Sequence, residues 1–271
     1  MVKRDREAAR EAAVAADRVR ALFTSNFKER VMLGLYHYIA FGLFGAFAVL
    51  DLFARARKFP DISYWRLKGL AFAALYFALA TYSPLLWDAW LGQYQLVDGS
   101  ALPLWAQIAG GFFVLEAGIY AWHRTMHNVP FLWRWFHQMH HSAERVDIWG
   151  ALYFHPFDTI GFTFVGSLAL VLGFGITAEA AIIVNLAATF CALFQHANIH
   201  TPRWVGYFVQ RPESHSYHHE RDVHARNYGD LPVFDMIFGT FENPETFSGE
   251  VGFYEGGSKK IGPLLIGRQI A

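Results

Sequence analysis

The sequence predicts an all-α fold, a polytopic membrane helical bundle of about four to five transmembrane or re-entrant helices with a histidine-rich helical cap on its cytosolic face. Hydrophobic residues make up 54% of the 271 residues and charged residues only 17%, which is too apolar for an ordinary soluble domain. Several apolar stretches reach the roughly 20 residues that cross a bilayer as a helix. Twelve of the thirteen histidines lie between His123 and His224, beside those stretches.

Charge and cysteine content exclude several kinds of protein. The formal net charge is zero, so nothing favours electrostatic attraction to nucleic acid, and we expect no nucleic-acid partner. The one cysteine, Cys191, lies in an apolar stretch. A single cysteine excludes an intramolecular disulfide and a thiolate zinc site of the finger type.

The pattern along the chain divides it into four regions. Residues 1–30 are charged and lack the apolar core of a secretory signal, so they are predicted to form a surface or interfacial helix. Transmembrane helices are predicted over 31–122, and a histidine-rich region over 123–250 that includes a membrane hairpin at 159–195. Residues 251–271 form a C-terminal tail.

Three apolar stretches before the histidine-rich region are predicted to span the membrane. The first covers residues 31–53 and the second roughly 68–87. The third covers 104–122 and contains a single charged residue, Glu116. Each is close to the length that a bilayer requires of a helix.

The predicted hairpin follows from the need for metal ligands to converge. Residues 159–195 contain one charged residue, Glu179, and break at 173–177 into two pieces long enough for two crossings. Histidines precede and follow this stretch. A single crossing would separate them by about 30 Å of hydrocarbon. We therefore predict an even number of passes between Asp158 and His196.

Lysine and arginine in the loops predict the orientation. Loop 88–103 has neither residue and reads as external, whereas loop 54–67 reads as cytoplasmic because it holds Arg55, Arg57, Lys58 and Arg66. This order places every histidine cluster on the cytoplasmic face. It also places the N-terminus outside, although residues 1–30 hold eight Lys or Arg against five acids. Either that segment tolerates export, or residues 31–53 do not span simply.

Ten histidines form four clusters that read H-R-T-M-H, H-Q-M-H-H, H-A-N-I-H and H-S-Y-H-H. Neutral imidazole is the commonest protein metal ligand, and residues three or four apart on a helix share one face. Histidines that merely decorate an aromatic interface are the alternative, but chance rarely yields two identical His-x-x-His-His triplets. The candidate metal ligands are His123, His127, His137, His140, His141, His196, His200, His215, His218 and His219.

The triplets favour two metal ions over one. In each, the first histidine pairs with one of the later two, and the remaining ring points about 100° away, toward a second metal. Ten imidazoles also exceed the roughly four to six ligands of one ion. Imidazole suits zinc, copper, iron and nickel alike. A site against the bilayer favours non-haem iron, because breaking an unactivated C–H bond of an apolar chain requires oxygen chemistry at a redox metal. The H-E-x-x-H signature of zinc proteases is absent.

The order His-x-x-x-His, His-x-x-His-His, His-x-x-His-His resembles the integral-membrane fatty acid hydroxylase and sterol desaturase superfamily. The resemblance runs from about Phe113 to Gly256 and includes H-H-S at 140–142 and F-H-P-F-D at 154–158. It also includes H-A-R-N-Y-G-D-L-P-V-F-D-M-I-F-G-T-F at 224–241. Members of this superfamily are non-haem di-iron enzymes that use O2 on lipids.

The resemblance implies that the clusters, with His196 and His200 completing the set, hold two iron ions in a catalytic region over 123–250. It implies O2 as co-substrate and hydroxylation of a C–H bond of a fatty acyl, sterol or related lipid in the bilayer; desaturation is the alternative within the same chemistry. The H-P-G-G haem signature is missing. An external electron donor is therefore expected, a cytochrome-b-type protein, ferredoxin or reductase. A metal transporter is less expected, since transporter ligands tend to lie near the bilayer midplane.

A few polar residues outside the clusters keep two interpretations each. His155 and His224 either hydrogen-bond to the outer nitrogen of a ligating histidine or are capping or interfacial residues. Glu116 orients His123 or lines the route to the metals, or it makes a plain helix–helix hydrogen bond. His37, inside the first span, is expected to be a packed or interhelical polar residue. No role is assigned to Asp158.

Overall fold

A computed structural model describes residues 34–270 of the chain, so the helix predicted at 1–30 lies outside the described residues. Helices and connecting loops make up this described part, and its one β pairing is an isolated bridge between Glu220 and Val251. The all-α prediction is confirmed.

Five helices are long and apolar enough to cross a membrane, which agrees with the predicted four to five. No more than a third of the apolar stretch in each helix is buried within the protein. The rest is an apolar surface far larger than a soluble monomer exposes, and it fits contact with lipid. In chain order the helices are α1 Gly34–Phe53, α2 Trp65–Tyr82, α3 Leu104–Asn128, α5 Pro156–Ser167 with a π-helical continuation to Gly173, and α6 Ala178–Gln195.

Four of the shorter helices in the described part lie at the end of the bundle that carries the histidines. Helix α4 covers 130–141 and contains a π-helical turn, Trp133–His137. The others are α7 Pro212–His218, α8 Pro232–Phe238 and α9 Ile261–Leu265. Together with the loops around them they form the histidine-rich cap.

Small residues let the long helices approach closely. A Cβ on Gly161 of α5 would lie 2.9 Å from the Trp122 ring of α3, so this crossing requires glycine. A buried cluster joins α3, α5 and α6 through Leu115 of α3, Leu170 of the π-helical continuation of α5, and Val184 of α6. Such contacts are typical of membrane helices, whose association depends on close van der Waals packing.

The α5–α6 hairpin returns the chain to the end of the bundle from which it left. Its turn contains Gly175 at φ 58°, and Thr177 caps α6 by accepting a hydrogen bond from the Ala180 N–H at 3.3 Å. At the turn, the Leu96 N–H donates to the Leu172 carbonyl at 2.8 Å, so loop 88–103 lies beside the turn, at the end of the bundle away from the histidines. Two helices thus separate the histidine clusters, as predicted.

The lysine- and arginine-rich connection between α1 and α2 lies at the opposite end, against the cap. There the Ala56 N–H donates to the Asn198 carbonyl at 2.9 Å. The basic loop and the histidines therefore share one end of the bundle, and the loop without lysine or arginine lies at the other.

Candidate metal centre

Nine of the ten candidate ligands converge into two groups. Within each group, one nitrogen of every ring lies within 4.8 Å of the corresponding nitrogen of every other ring. The five-histidine group consists of His123, His127, His137, His141 and His218, and the four-histidine group of His140, His196, His215 and His219. Eight of the nine are buried, and His127 is partly buried.

The first triplet serves both groups. His137 and His141, one helical turn apart on α4, enter the five-histidine group, and His140 enters the four-histidine group. The π-helical turn Trp133–His137 ends at the first of these residues. Such turns recur at functional sites because the extra residue shifts the direction of the side chains that follow.

The second triplet has the opposite arrangement. His215 and His219, at the end of α7, belong to the four-histidine group, whereas His218 belongs to the five-histidine group. In both triplets the middle histidine, His140 or His218, points away from the other two, as the helical spacing predicts.

His200 lies apart from both groups, unlike its predicted partner His196. Its side chain is 71% exposed, and its Nδ1 lies 3.8 Å from Glu213 Oε1. The prediction assumed a helix through H-A-N-I-H, but α6 ends at Gln195 and the following residues are not helical. The rule that places residues i and i+4 on one face therefore does not apply here.

Oxygen acceptors orient the rings of the five-histidine group. His123 Nδ1 donates to the Tyr228 carbonyl at 2.7 Å, and His218 Nδ1 donates to the Arg226 carbonyl at 2.6 Å. His127 Nδ1 donates to the carbonyl of His224 at 2.7 Å. A proton held on Nδ1 leaves the lone pair of Nε2 directed into the group, which is the arrangement that metal-bound histidines have in proteins.

An unusual backbone presents these three carbonyls. His224, Arg226 and Asn227 have φ values of 39°, 66° and 48°, in the left-handed region that residues with a Cβ seldom adopt. Such conformations cost free energy and are found mostly at functional sites. The segment 224–228 thereby turns the carbonyls of alternate residues toward three ligands on two helices. No pattern in the sequence predicts this role.

Asp158 orients a fourth ring. Its Oδ2 accepts a hydrogen bond from His137 Nδ1 at 2.8 Å, and the carboxylate is buried in the first turn of α5. Its role was not predicted from the sequence. The signal was present in F-H-P-F-D, where Pro156 starts a helix and places an acid in its first turn.

The structure gives a specific contact for each polar residue outside the four clusters whose role the sequence left open. His224 Nδ1 lies 3.0 Å from His141 Nδ1 and so contacts the outer nitrogen of a candidate ligand, whereas His155 caps α5 by accepting from the Phe157 N–H at 3.1 Å. Glu116 accepts from the Leu231 N–H at 3.3 Å and so joins α3 to the loop before α8. His37 is hydrogen-bonded to Thr81 at 3.0 Å, between α1 and α2, as expected.

The four-histidine group has two hydrogen bonds of the orienting kind. His196 Nδ1 donates to the Ala192 carbonyl at 2.7 Å, and His215 Nδ1 donates to Gln210 Oε1 at 3.1 Å. Inside the group, His215 Nε2 lies 3.0 Å from His196 Nε2 and 3.1 Å from His219 Nε2. The inward nitrogens therefore converge on one point.

The protonation of the rings fits metal binding. Burial, and then the neighbouring imidazoles, lower the pKa well below the usual 6.5 for His137, His140, His141, His215, His218 and His219. Burial lowers the pKa of His196 to about 4. These rings are neutral near pH 7, the form that ligates metals. Three inward nitrogens are buried without a hydrogen-bond partner, and a metal ion would satisfy them: Nε2 of His127, His141 and His218.

The two sides of the centre differ in polarity. On the bundle side the Phe154 ring lies 4.4 Å from that of His140, and the Phe162 ring lies 6.0 Å from that of His123. Elsewhere a cavity of about 270 Å³ opens beside His127, with Arg134 in its wall. The centre is therefore lined by apolar rings on one side and lies beside a cavity with a charged wall on another.

Comparison with known proteins places these features in a family. Residues 108–240 match the sequence model of the fatty acid hydroxylase family, and this range contains all nine converging histidines. No solved structure matches the chain.

Several curated relatives share this region. The ornithine lipid hydroxylase OlsE of Rhizobium tropici is 30% identical over 146 residues, 52% of this chain and 44% of the relative. The sphingolipid C4-hydroxylase sur2 of Schizosaccharomyces pombe is 26% identical over 139 residues, 50% of this chain and 47% of the relative. The fatty acid hydroxylase vlmA of a Lecanicillium species is 31% identical over 173 residues, 58% of this chain and 44% of the relative.

The chain spans about half the length of the curated relatives it matches. The range matched by the family model, 108–240, carries both His-x-x-His-His triplets and the short helices α4 and α7 that hold them. The family match over residues 108–240 and the hydroxylase relatives support the predicted membership of the fatty acid hydroxylase and sterol desaturase superfamily.

Proposed function

We propose that this chain is a membrane-bound, O2-dependent oxygenase that uses two iron ions to hydroxylate a C–H bond of a lipid. The observation that carries the proposal is the pair of buried, neutral histidine groups at one end of a bundle of apolar helices. Relatives named as ornithine lipid, sphingolipid and fatty acid hydroxylases support a lipid as the substrate class. A fatty acyl, sterol or related lipid fits this class.

The five-histidine and four-histidine groups would each hold one iron ion, with all protein ligands supplied by imidazole. Iron bound there supplies the redox chemistry that activates O2, which imidazole ligands suit. The overall reaction consumes the lipid, O2, two electrons and two protons, and yields the alcohol and one water.

The protein's own residues orient the ligands and keep water from the apolar side. Asp158 and the carbonyls of segment 224–228 hold the Nδ1 protons and so fix which nitrogen faces inward. Phe154 and Phe162 cover the bundle side with rings that offer no hydrogen bond. An acyl chain can pack against these rings, whereas water gains nothing there.

We place the metal centre on the cytoplasmic face of a multi-pass membrane protein. The support is the contact between the basic α1–α2 loop and the cap, because lysine and arginine in short loops favour the cytoplasmic side. Electrons would then come from a separate protein in that compartment, a cytochrome-b-type protein, ferredoxin or reductase.

The test is metal analysis and turnover of the purified, iron-loaded protein. We expect about two irons per chain, and lipid oxidation only when both O2 and a reductant are present. Mass spectrometry distinguishes a product heavier by one oxygen atom from one lighter by two hydrogens, which would indicate desaturation. Tight zinc binding after attempted iron loading, with no O2 consumption under any reductant, would favour a metal-binding or transport protein instead.

A further inference from the structure

The loop between α1 and α2 contacts the chain segments that carry ligands of the four-histidine group, although it lies outside the matched range 108–240. The Arg57 N–H donates to Asn198 Oδ1 at 3.0 Å, and Asn198 Nδ2 donates back to the Arg57 carbonyl at 2.8 Å. Asn198 is buried and lies two residues after His196. These reciprocal bonds fix the non-helical segment in which His196 leaves α6.

The Arg57 side chain extends the connection to α7. Its Nε donates to Asn198 Oδ1 at 3.3 Å, and its Nη1 donates to Ser216 Oγ at 2.5 Å. Ser216 directly follows His215 in the sequence. A guanidinium presents its donors in a rigid, planar fork, so one arginine fixes the spacing of both acceptors.

The guanidinium is held in place on its other side. It packs over the Phe59 ring, with its central carbon 5.6 Å from the ring centre. Burial lowers the pKa of Arg57 to about 10, and the nearby Glu213 opposes the shift. Arg57 therefore stays charged at neutral pH, and its hydrogen bonds are of the stronger, charge-assisted kind.

We infer that Arg57 is a positioning residue for the four-histidine group. It joins the segment of His196 to the helix of His215 and His219, so that three of the four ligands depend on one side chain from the first helical hairpin. The inference rests on the proposed pair of metal sites. It gives the α1–α2 hairpin a part in the metal centre beyond anchoring the chain in the membrane.

The experiment counts metals in variants of the full chain. Wild type loaded with Co²⁺ is expected to hold about two ions after a mild chelator wash, and Arg57→Ala only about one. Outer-shell substitutions lower metal affinity by about 10–100-fold. Lys58→Ala is the matched control, because it removes a positive charge from an exposed neighbour in the same loop and should leave two ions bound.

Two milder variants guard against a folding defect. Ser216→Ala removes one acceptor of the Arg57 guanidinium. It should lower the metal affinity of the four-histidine group by a smaller factor than Arg57→Ala does. Arg57→Lys keeps the positive charge but lacks the planar set of guanidinium donors. It should recover part of the metal affinity that the four-histidine group loses in Arg57→Ala. The Co²⁺ spectrum of the remaining ion should match that of the five-histidine group in wild type.

Retention of both ions at wild-type affinity in Arg57→Ala and Ser216→Ala would overturn the inference. So would equal weakening of both sites, since that would make Arg57 a general scaffold residue. The metal count needs no turnover, so these results stand even if no lipid is oxidised. A wild type that cannot bind two ions would overturn both this inference and the proposed di-iron site.

Discussion

The two histidine groups are held in different ways. In the five-histidine group, four of the five rings donate from Nδ1 to an oxygen acceptor, three of them to the carbonyls of segment 224–228. The four-histidine group has two such bonds and relies on Arg57 to fix the backbone that carries its ligands. In the five-histidine group most rings are oriented individually by their own hydrogen bonds. In the four-histidine group the backbone segments that carry the ligands are held in position instead. We therefore expect the five-histidine group to bind its metal more tightly.

The largest effects should come from removing one ligand of each group. His218→Ala should lose the metal of the five-histidine group, and His215→Ala should lose that of the four-histidine group. Each should lower lipid turnover by at least about 100-fold, because loss of a ligand exceeds the effect of its outer-shell partner. Metal content by mass spectrometry and the Co²⁺ spectrum measure which ion is missing.

His37→Ala is the control for both variants. His37 is a residue of α1 that hydrogen-bonds to Thr81 of α2, and it lies outside both histidine groups. It should retain two metals. If His215→Ala and His218→Ala lost the same ion, the division into two groups would be wrong.

An intermediate effect is expected for Asp158→Ala. Without this acceptor, His137 loses the partner that keeps its proton on Nδ1. The affinity of the five-histidine group should fall by about 10–100-fold, while the four-histidine group keeps its ion. Competition with a chelator measures both constants, and Asp158→Asn, which retains an oxygen acceptor, should recover part of the loss. An unchanged five-histidine group in Asp158→Ala would show that ring orientation does not distinguish the two sites.

The smallest effect should come from His200→Ala. Because this side chain is exposed and lies apart from both groups, metal content and turnover should stay within about twofold of wild type. His196→Ala, four residues earlier, should instead lose the metal of the four-histidine group. A His200 variant that lost an ion would return this residue to the ligand set and would show that the segment after α6 moves when metal binds.

Much of the fold follows from local sequence rules. The apolar stretches predicted four to five helices, and five are found, because a spanning helix must satisfy its own backbone and therefore has a minimum length. The hairpin followed from the need to bring His141 and His196 to one side of the bundle. Helix ends were less predictable. The third span was predicted to end at Trp122, but α3 continues to Asn128 and carries both His123 and His127.

The candidate site shows where sequence reasoning reaches its limit. Spacing within the triplets predicted how the rings divide, because a helix fixes the angle between neighbouring side chains. The same reasoning did not predict where His200 lies, since nothing in H-A-N-I-H marks where α6 stops. The outer hydrogen bonds were also beyond prediction. They depend on backbone carbonyls, on left-handed residues such as Arg226, and on the remote contact between Arg57 and Asn198, none of which leaves a periodic pattern.

The division of each triplet between the two groups would couple two bound metals mechanically. Turning α4 about its axis to bring His137 and His141 closer to one ion would carry His140 away from the other, and α7 imposes the reverse constraint through His218. Neither ion could therefore pull its ligands inward without loosening its neighbour. The pitch of the two short helices would set the separation between the ions, and a change of metal at one position should alter the geometry of the other.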